Sequence, residues 1–271
     1  MSTQALTLSP PAQATTHRVP AVVRHSLVLA QRSLVNTLRT PEALLDVTLQ
    51  PLIFLALFTY VFGGAIAGGS QHDYLQYLLP GILGQTIALG GVAIGVNLSD
   101  DVGKGIFDRF RSLPIGRAVP LVAGVLADVV RYVVVFVVTL GSGYALGFRV
   151  ETGPLDVLAA GGLAIGFALC LSWASVFVGM VVRTSGAVQG IMMMILLPLS
   201  FGSSAFVDPD TMPGWLRTIS DFNPLTHLVG AERSLLLGDP MGSHLWATFL
   251  SMAVLVVVFA PLALRAYGRR A

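Results

Sequence analysis

Charge is what this chain has least of. Only 11% of its 271 residues are Asp, Glu, Lys or Arg, against roughly 25% in soluble domains. With 54% hydrophobic residues and a mean hydropathy of +0.78, a soluble core is excluded and a polytopic membrane protein is expected. The net charge of +2 is too small to suggest a nucleic-acid partner. Cysteine is equally scarce. Cys170 stands alone, which excludes an internal disulfide and a cysteine-based zinc site. It falls in an apolar segment and reads as a small packing residue. There is no GxxxxGK[ST]; Gly103-Lys104-Gly105 lacks both the spacing and the following hydroxyl, so the chain is not expected to cradle nucleotide phosphates. HExxH is missing too, and His17, His25, His72, His227 and His244 are scattered through tails and loops, so zinc hydrolysis is not expected. No paired inward carboxylates suggest a proton relay. The first twenty residues hold Pro10, Pro11 and Pro20 and no apolar run. No cleavable signal peptide is expected there, and residues 1–20 read as a disordered cytoplasmic tail.

What is present is a series of apolar segments long enough to cross a hydrocarbon core, which needs about 20 residues. They lie near 43–67, 77–98, 119–148, 155–182, 187–206 and 245–264. Pro51 and Pro198 are expected to kink two of them. The fold expected is an all-α membrane protein of six transmembrane helices, with residues 21–271 as one transmembrane domain. Arginine is heavily favoured over lysine, and its placement sets the orientation. One side collects Arg18, Arg24, Arg32, Arg39, Lys104, Arg109, Arg111, Arg117, Arg183, Arg265, Arg269 and Arg270; the other has Arg149, Arg217 and Arg233. The richer side is expected to be cytoplasmic, with both termini inside.

Residues 21–39 form an amphipathic pattern. Val23, Leu27, Ala30, Leu34 and Leu38 make an apolar stripe, with His25, Arg32, Asn36 and Arg39 opposite and Arg24 at the start. Such a helix lies in the membrane interface. Thr40-Pro41-Glu42 then supplies a cap, a proline at the first helical position and an acid in the first turn. The most charged run is 100–117, DDVGKGIFDRFRSLPIGR. As a helix it sets Ile106, Phe107, Phe110 and Leu113 on one face, with Lys104, Asp108, Arg109 and Arg111 largely on the other, and Pro114 ends it. It reads as a cytoplasmic handle by which another protein moves the membrane part. Residues 207–243 are too apolar for an ordinary loop and are expected to be short helices, punctuated by proline, dipping into the outer leaflet as a re-entrant element, with Trp215 at the interface.

Inside the spans, Asp128 and Arg131 are three apart on one helix face and can pair. A charge at membrane depth is a functional candidate; a static pair or a wetted position is the plainer alternative. Asp46 and Gln50 lie one turn apart early in the first span. Ser172, Ser175 and Gly179 suit close helix packing. Met192, Met193 and Met194 offer either an adaptable surface for apolar cargo or lipid- or core-facing bulk.

Two stretches resemble the membrane subunit of a type-2 ABC exporter, in its daunorubicin-resistance-like branch, over about residue 21 to the C-terminus. One holds Asp101, Gly105, Arg109, Phe110, Arg111, Ser112 and Pro114, similar to the family's acid, glycine and Arg-Leu-Arg-Ser-x-Pro-like loop; this chain has aspartate, preceded by Asp100, where glutamate is common. The other is PLSFGSSAFVDPDTMPGWL followed by NPLTHLVGAERSLLLG, which contains Asn223 and Pro224. The resemblance implies that residues 100–117 are a coupling helix seated in a groove of a separate ATPase. It implies two ATPase copies binding ATP and Mg, a second copy of this chain or a homologous permease, and no cofactor in the chain itself. The amphipathic helix of 21–39 would rest beside the coupling helix. The expected function is outward transport of an amphipathic or lipid-like substrate (drug, antibiotic or glycolipid) across a bacterial plasma membrane, with lipid and protein partners only. A membrane-embedded lipid-modifying enzyme and a non-transporting assembly factor are the alternatives.

Overall fold

The computed structural model describes residues 41–63, 71–104 and 119–270. The expected interfacial helix (21–39), most of the expected coupling helix and the N-terminal tail lie outside them. Among the described residues there is helix and no strand. Helix α1 (Pro41–Leu57) runs into a π-helical turn (Phe58–Phe62). α2 (Gln71–Gly90) and α3 (Val92–Gly103) follow one another as a 33-residue rod interrupted at Gly91. Then come α4 (Val119–Leu146), α5 (Pro154–Val181) and α6 (Ser185–Phe201), a short 3-10 turn (Pro209–Thr211), α7 (Gly214–Phe222), α8 (Pro224–Leu237) and α9 (His244–Arg270). Four stretches are long and apolar enough to cross a membrane: 71–103, 128–146, 154–181 and 244–268. Leu49–Val61 and Ser185–Phe201 are shorter apolar helices.

The hub is α5, which packs on α2, α3, α4, α6, α8 and α9. Its sequence explains why. Ala160, Gly161, Ala164, Ala168, Ser172, Ala174, Ser175 and Gly179 are buried along it, and small side chains let neighbouring backbones come close where lipid tails offer no hydrophobic drive. Closest of all is the crossing with α3. A Cβ on Gly95 would collide with the backbone carbonyl of Ser175, and one on Gly179 with the carbonyl of Gly95. The small residues anticipated at Ser172, Ser175 and Gly179 thus line this seam. Ser172 also receives Tyr132 of α4, hydroxyl to hydroxyl at 3.0 Å, while bonding back to the Ala168 carbonyl.

Ends follow local chemistry. α5 starts with Gly153 and Pro154, and the Asp156 carboxylate accepts from the Gly153 amide at 3.1 Å, an acid in the first turn where the helix dipole favours it. α4 ends at Gly147, whose φ of 111° is open to glycine and hardly to any other residue. α6 stops at Phe201, short of the 187–206 segment expected. Pro198 lies in its last turn, and Ser203 to Phe206 then run as buried non-helical chain across α2, where a Cβ on Gly81 would strike the Ala205 backbone. Outside, α1, α6 and α9 expose Leu52, Ile53, Met194, Ile195, Leu250 and Val257. An apolar exterior of this extent belongs in lipid or against another apolar chain.

Candidate functional site

A cavity of about 550 Å³ is lined by residues of α1, α2, α3, α4 and α6. Its polar lining comes from separate helices: Gln50 on α1, Thr86 on α2, Asn97 on α3, Arg131 on α4 and Gln189 on α6. Leu89, Val92, Val96, Val135 and Met193 supply the apolar wall. The size falls within the roughly 300–1,000 Å³ usual for small-molecule pockets, and so does the pattern of a few polar groups on an apolar surface.

Arg131 is positioned from two directions. It meets Asp128 one turn before it at 3.2 Å, and it donates through Nη2 to the Gly90 carbonyl. That carbonyl lies beside the interruption in the α2–α3 rod. At Gly91 the chain makes a tight turn, its amide bonding three residues back to Ala88 rather than four. Two consecutive glycines weaken the ladder there, and a guanidinium fills the need it leaves. Arg131 therefore serves at once as lining and as a brace across the break. Of the methionine run, Met193 lines the cavity, Met192 is buried in the core and Met194 points outward. The three residues thus divide between the readings that the sequence left open.

At one end of the rod, Asp100 and Asp101 do not open a new helix. They sit in the last turns of α3, which closes at Gly103, and the Lys104 amide bonds to the Asp100 carbonyl at 2.9 Å. Residues 100–103 of the stretch expected as one helix over 100–117 therefore belong to α3, whose α-helical ladder passes Gly95 and carries through the acids to Gly103. Gly105, Ile106, Phe107, Asp108, Arg109, Phe110, Arg111 and Pro114 lie outside the described residues, as do Arg24, Leu27, Arg32, Leu34 and Arg39.

At the other end α7 and α8 form a compact polar joint. Asn223 caps α8, its Oδ1 accepting from the Leu225 amide at 2.9 Å, with Pro224 at the first helical position. Its Nδ2 donates to the Leu199 carbonyl at 2.6 Å, tying α8 to the end of α6. Trp215 is exposed on α7. Arg233, counted from sequence as a loop charge, is buried. Its guanidinium lies 3.6 Å from the Tyr77 ring centre and donates to the carbonyls of Tyr77 and Ser204. The Tyr77 hydroxyl donates to the same Ser204 carbonyl at 2.9 Å. Beside Arg233, Glu232 is fully buried and neither of its carboxyl oxygens has a hydrogen-bond partner. Sequence reasoning passed over Glu232; the available signal was an acid and a base side by side within an otherwise apolar run. Replacing Asn223 by Ala removes a cap worth about 1–2 kcal/mol and strands the Leu199 carbonyl, so the melting temperature falls. Asn223→Asp keeps the cap acceptor but sets a second acceptor against the Leu199 carbonyl, so it too lowers the melting temperature, which thermal unfolding in detergent measures.

The model of the ABC-2 type transporter family matches residues 24–237. The chain is 42% identical over 233 residues to a daunorubicin resistance ABC transporter permease protein, DrrB1, of Streptomyces coeruleorubidus, covering 85% of this chain and 81% of that protein. It is 24% identical over 243 residues to a probable doxorubicin resistance ABC transporter permease protein, DrrC, of Mycobacterium tuberculosis, covering 89% and 88%. It is 27% identical over 217 residues to a putative transport permease, ycf38, of Cyanophora paradoxa, covering 79% and 74%. The small-residue seam, the apolar exterior and the cavity are thus parts of an integral membrane protein, and the chain belongs to the ABC-2 type transporter family.

Proposed function

We propose that this chain is the membrane-spanning subunit of an ATP-driven exporter. It carries an amphipathic or lipid-like cargo (drug, antibiotic or glycolipid) outward across a bacterial plasma membrane. The observation that carries the reading is the cavity: it is lined from five helices, two of which, α1 and α6, have apolar exteriors, and it offers amides, a hydroxyl and one guanidinium rather than a reactive group. A cargo dissolved in the membrane enters such a site without crossing water. Arg131 is the one ionisable side chain among its described lining residues, and a guanidinium that keeps its proton is a poor general acid or base, which disfavours a lipid-modifying enzyme.

In this reading the chain crosses the membrane six times, with α1 and α6 as the two shorter spans and both termini in the cytoplasm. Two copies of a separate ATPase bind ATP and Mg and dock on the segment 100–117. A second copy of this chain or a homologous permease closes the cavity from the α1 and α6 side. The missing phosphate loop fits that division. The names of the relatives support drug export as one possible cargo class. ATPase closure then acts on α3 through its acidic end, and the helices shift between two arrangements rather than deforming continuously.

The test is reconstitution with a copurifying ATPase in lipid. Arg109→Glu with Phe110→Ala is expected to lower cargo-stimulated ATP hydrolysis and export at least about tenfold, a loss of about 1.4 kcal/mol or more in coupling. Met193→Trp with Gln189→Leu, which fills the cavity, is expected to abolish export while the unstimulated hydrolysis rate stays. Unchanged export in both variants overturns the proposal.

A further inference from the structure

Glu232 is not used by the function just proposed. It sits on α8, which is not among the spanning helices, with its side chain turned inward against α2. A Cβ on Gly84 would lie 3.2 Å from Glu232 Oε2 and equally close to Val229 Cγ2, with Leu228 Cδ2 at 3.5 Å. The carboxyl therefore occupies a narrow slot that a bare glycine backbone leaves open, walled by aliphatic groups. No donor reaches either oxygen. An ionised carboxylate without a donor is strongly disfavoured in such surroundings, and a buried acid answers by keeping its proton. Burial pushes the Glu232 carboxyl well above the usual carboxylate range, with Arg233 only opposing.

Arg233 does not neutralise it, because its own hydrogen bonds go to the carbonyls of Tyr77 and Ser204. The other ionisable groups of the joint are turned elsewhere. Tyr77 of α2 stacks on Arg233, and Asp208 and Asp239 act on Arg233. His244 of α9 faces His227, ring nitrogen to ring nitrogen at 3.4 Å. Asp221 of α7 acts on His227, whose imidazole burial holds below its ordinary value, with His244 adding to the effect. Among the described residues, no ionisable group of α2, α5 or α9 acts on Glu232.

We infer that Glu232 makes the contact between α2 and α8 a proton-dependent latch. The helices stay together while the neutral acid fills the slot at Gly84, and they part when water reaches the carboxyl and takes its proton. The sign follows from linkage. The closed arrangement binds one more proton than the parted one, so acid favours closure and rising pH favours parting. The window runs from the ordinary glutamate value of about 4.3 up to the raised value of the closed state. Within it, each pH unit changes the parted population by about tenfold.

The experiment is hydrogen–deuterium exchange of the full chain in phosphatidylethanolamine–phosphatidylglycerol nanodiscs, read on backbone amides of α8 and corrected for intrinsic exchange. As pH rises from ~5 towards the raised value of the closed state, the protection of α8 is expected to fall, by up to about tenfold per unit. In Glu232→Gln, a neutral side chain of the same shape, the slope is expected to vanish. Glu232→Leu serves as a second variant should the amide disturb folding, with the same expectation. His227→Gln is expected to keep the slope. A flat profile in the wild type, a slope retained in the Glu232 variants, or a slope lost in His227→Gln overturns the latch. The measurement needs neither ATPase nor cargo, so its outcome is independent of the transport reading.

Discussion

Gly179→Leu is expected to leave almost no monodisperse protein in detergent. At the α3–α5 crossing a Cβ on Gly179 meets the carbonyl of Gly95, and a Cβ on Gly95 meets that of Ser175. Both obstacles are main chain inside a helix, so no rotamer change relieves them. Even Gly179→Ala is expected to cost about 2–3 kcal/mol, the upper part of the usual overpacking range. Gly162 lies on the same helix with nothing within 4 Å of a built Cβ. Gly162→Ala is expected to leave stability unchanged or raise it by up to about 1 kcal/mol through helix propensity. Fluorescence-detected size exclusion after a temperature ramp separates the two glycines; similar melting temperatures for Gly179→Ala and Gly162→Ala would count against the close crossing.

Arg233→Ala is the second large loss. The guanidinium serves two carbonyls on different parts of the chain, Tyr77 on α2 and Ser204 beyond α6, and stacks on the Tyr77 ring. Hydrogen bonds from a charged donor are worth about 1.5–3 kcal/mol each, and a desolvated cation over an aromatic face adds up to about 2. Part of this is offset because a buried charge no longer has to be desolvated, so a net loss of about 3 kcal/mol is expected. Arg233→Lys keeps the charge but reaches one carbonyl at a time, and falls between. For a chain of this size each kcal/mol corresponds to roughly 2–4 °C. An Arg233→Ala melting temperature equal to that of the parent would sink the clamp.

Composition and hydropathy carried the sequence reading a long way, for a physical reason. A backbone in hydrocarbon must satisfy its own hydrogen bonds, so long apolar runs have few options besides helix. The segments expected at 155–182 and 245–264 therefore lie within or beside α5 and α9. Ends were harder to read. The acids at 100 and 101 read as the start of a separate amphipathic helix, yet no residue between Val92 and Val102 stops the ladder, and α3 runs on to Gly103. The interruption at Gly91 was not legible, because paired glycines occur in unbroken helices as often as a packed neighbour allows. It depends on Arg131 arriving from α4 to take the Gly90 carbonyl.

The candidate site was legible in pieces. Asp128 and Arg131 stood out as charges within an apolar run, and their spacing put them on one face. That Gln50, Asn97 and Gln189 share a cavity with Arg131 is a property of four helices at once, and no one-dimensional pattern marks it. Glu232 and Arg233 were obscured by their setting between prolines, where charges are ordinarily solvated. Only the packing of α8 on α2, α5 and α9 takes them out of water.

The break at Gly91 divides one long rod into two mechanical pieces with different attachments. α2 packs most on α4 and α8 besides the hub α5, whereas α3 packs most on α5 and α6. With the ladder tightened between them and a guanidinium spanning the gap, under the proposed coupling a torque applied near Asp101 would bear first on α3 and α6, and the joint it would flex is a wall of the cavity.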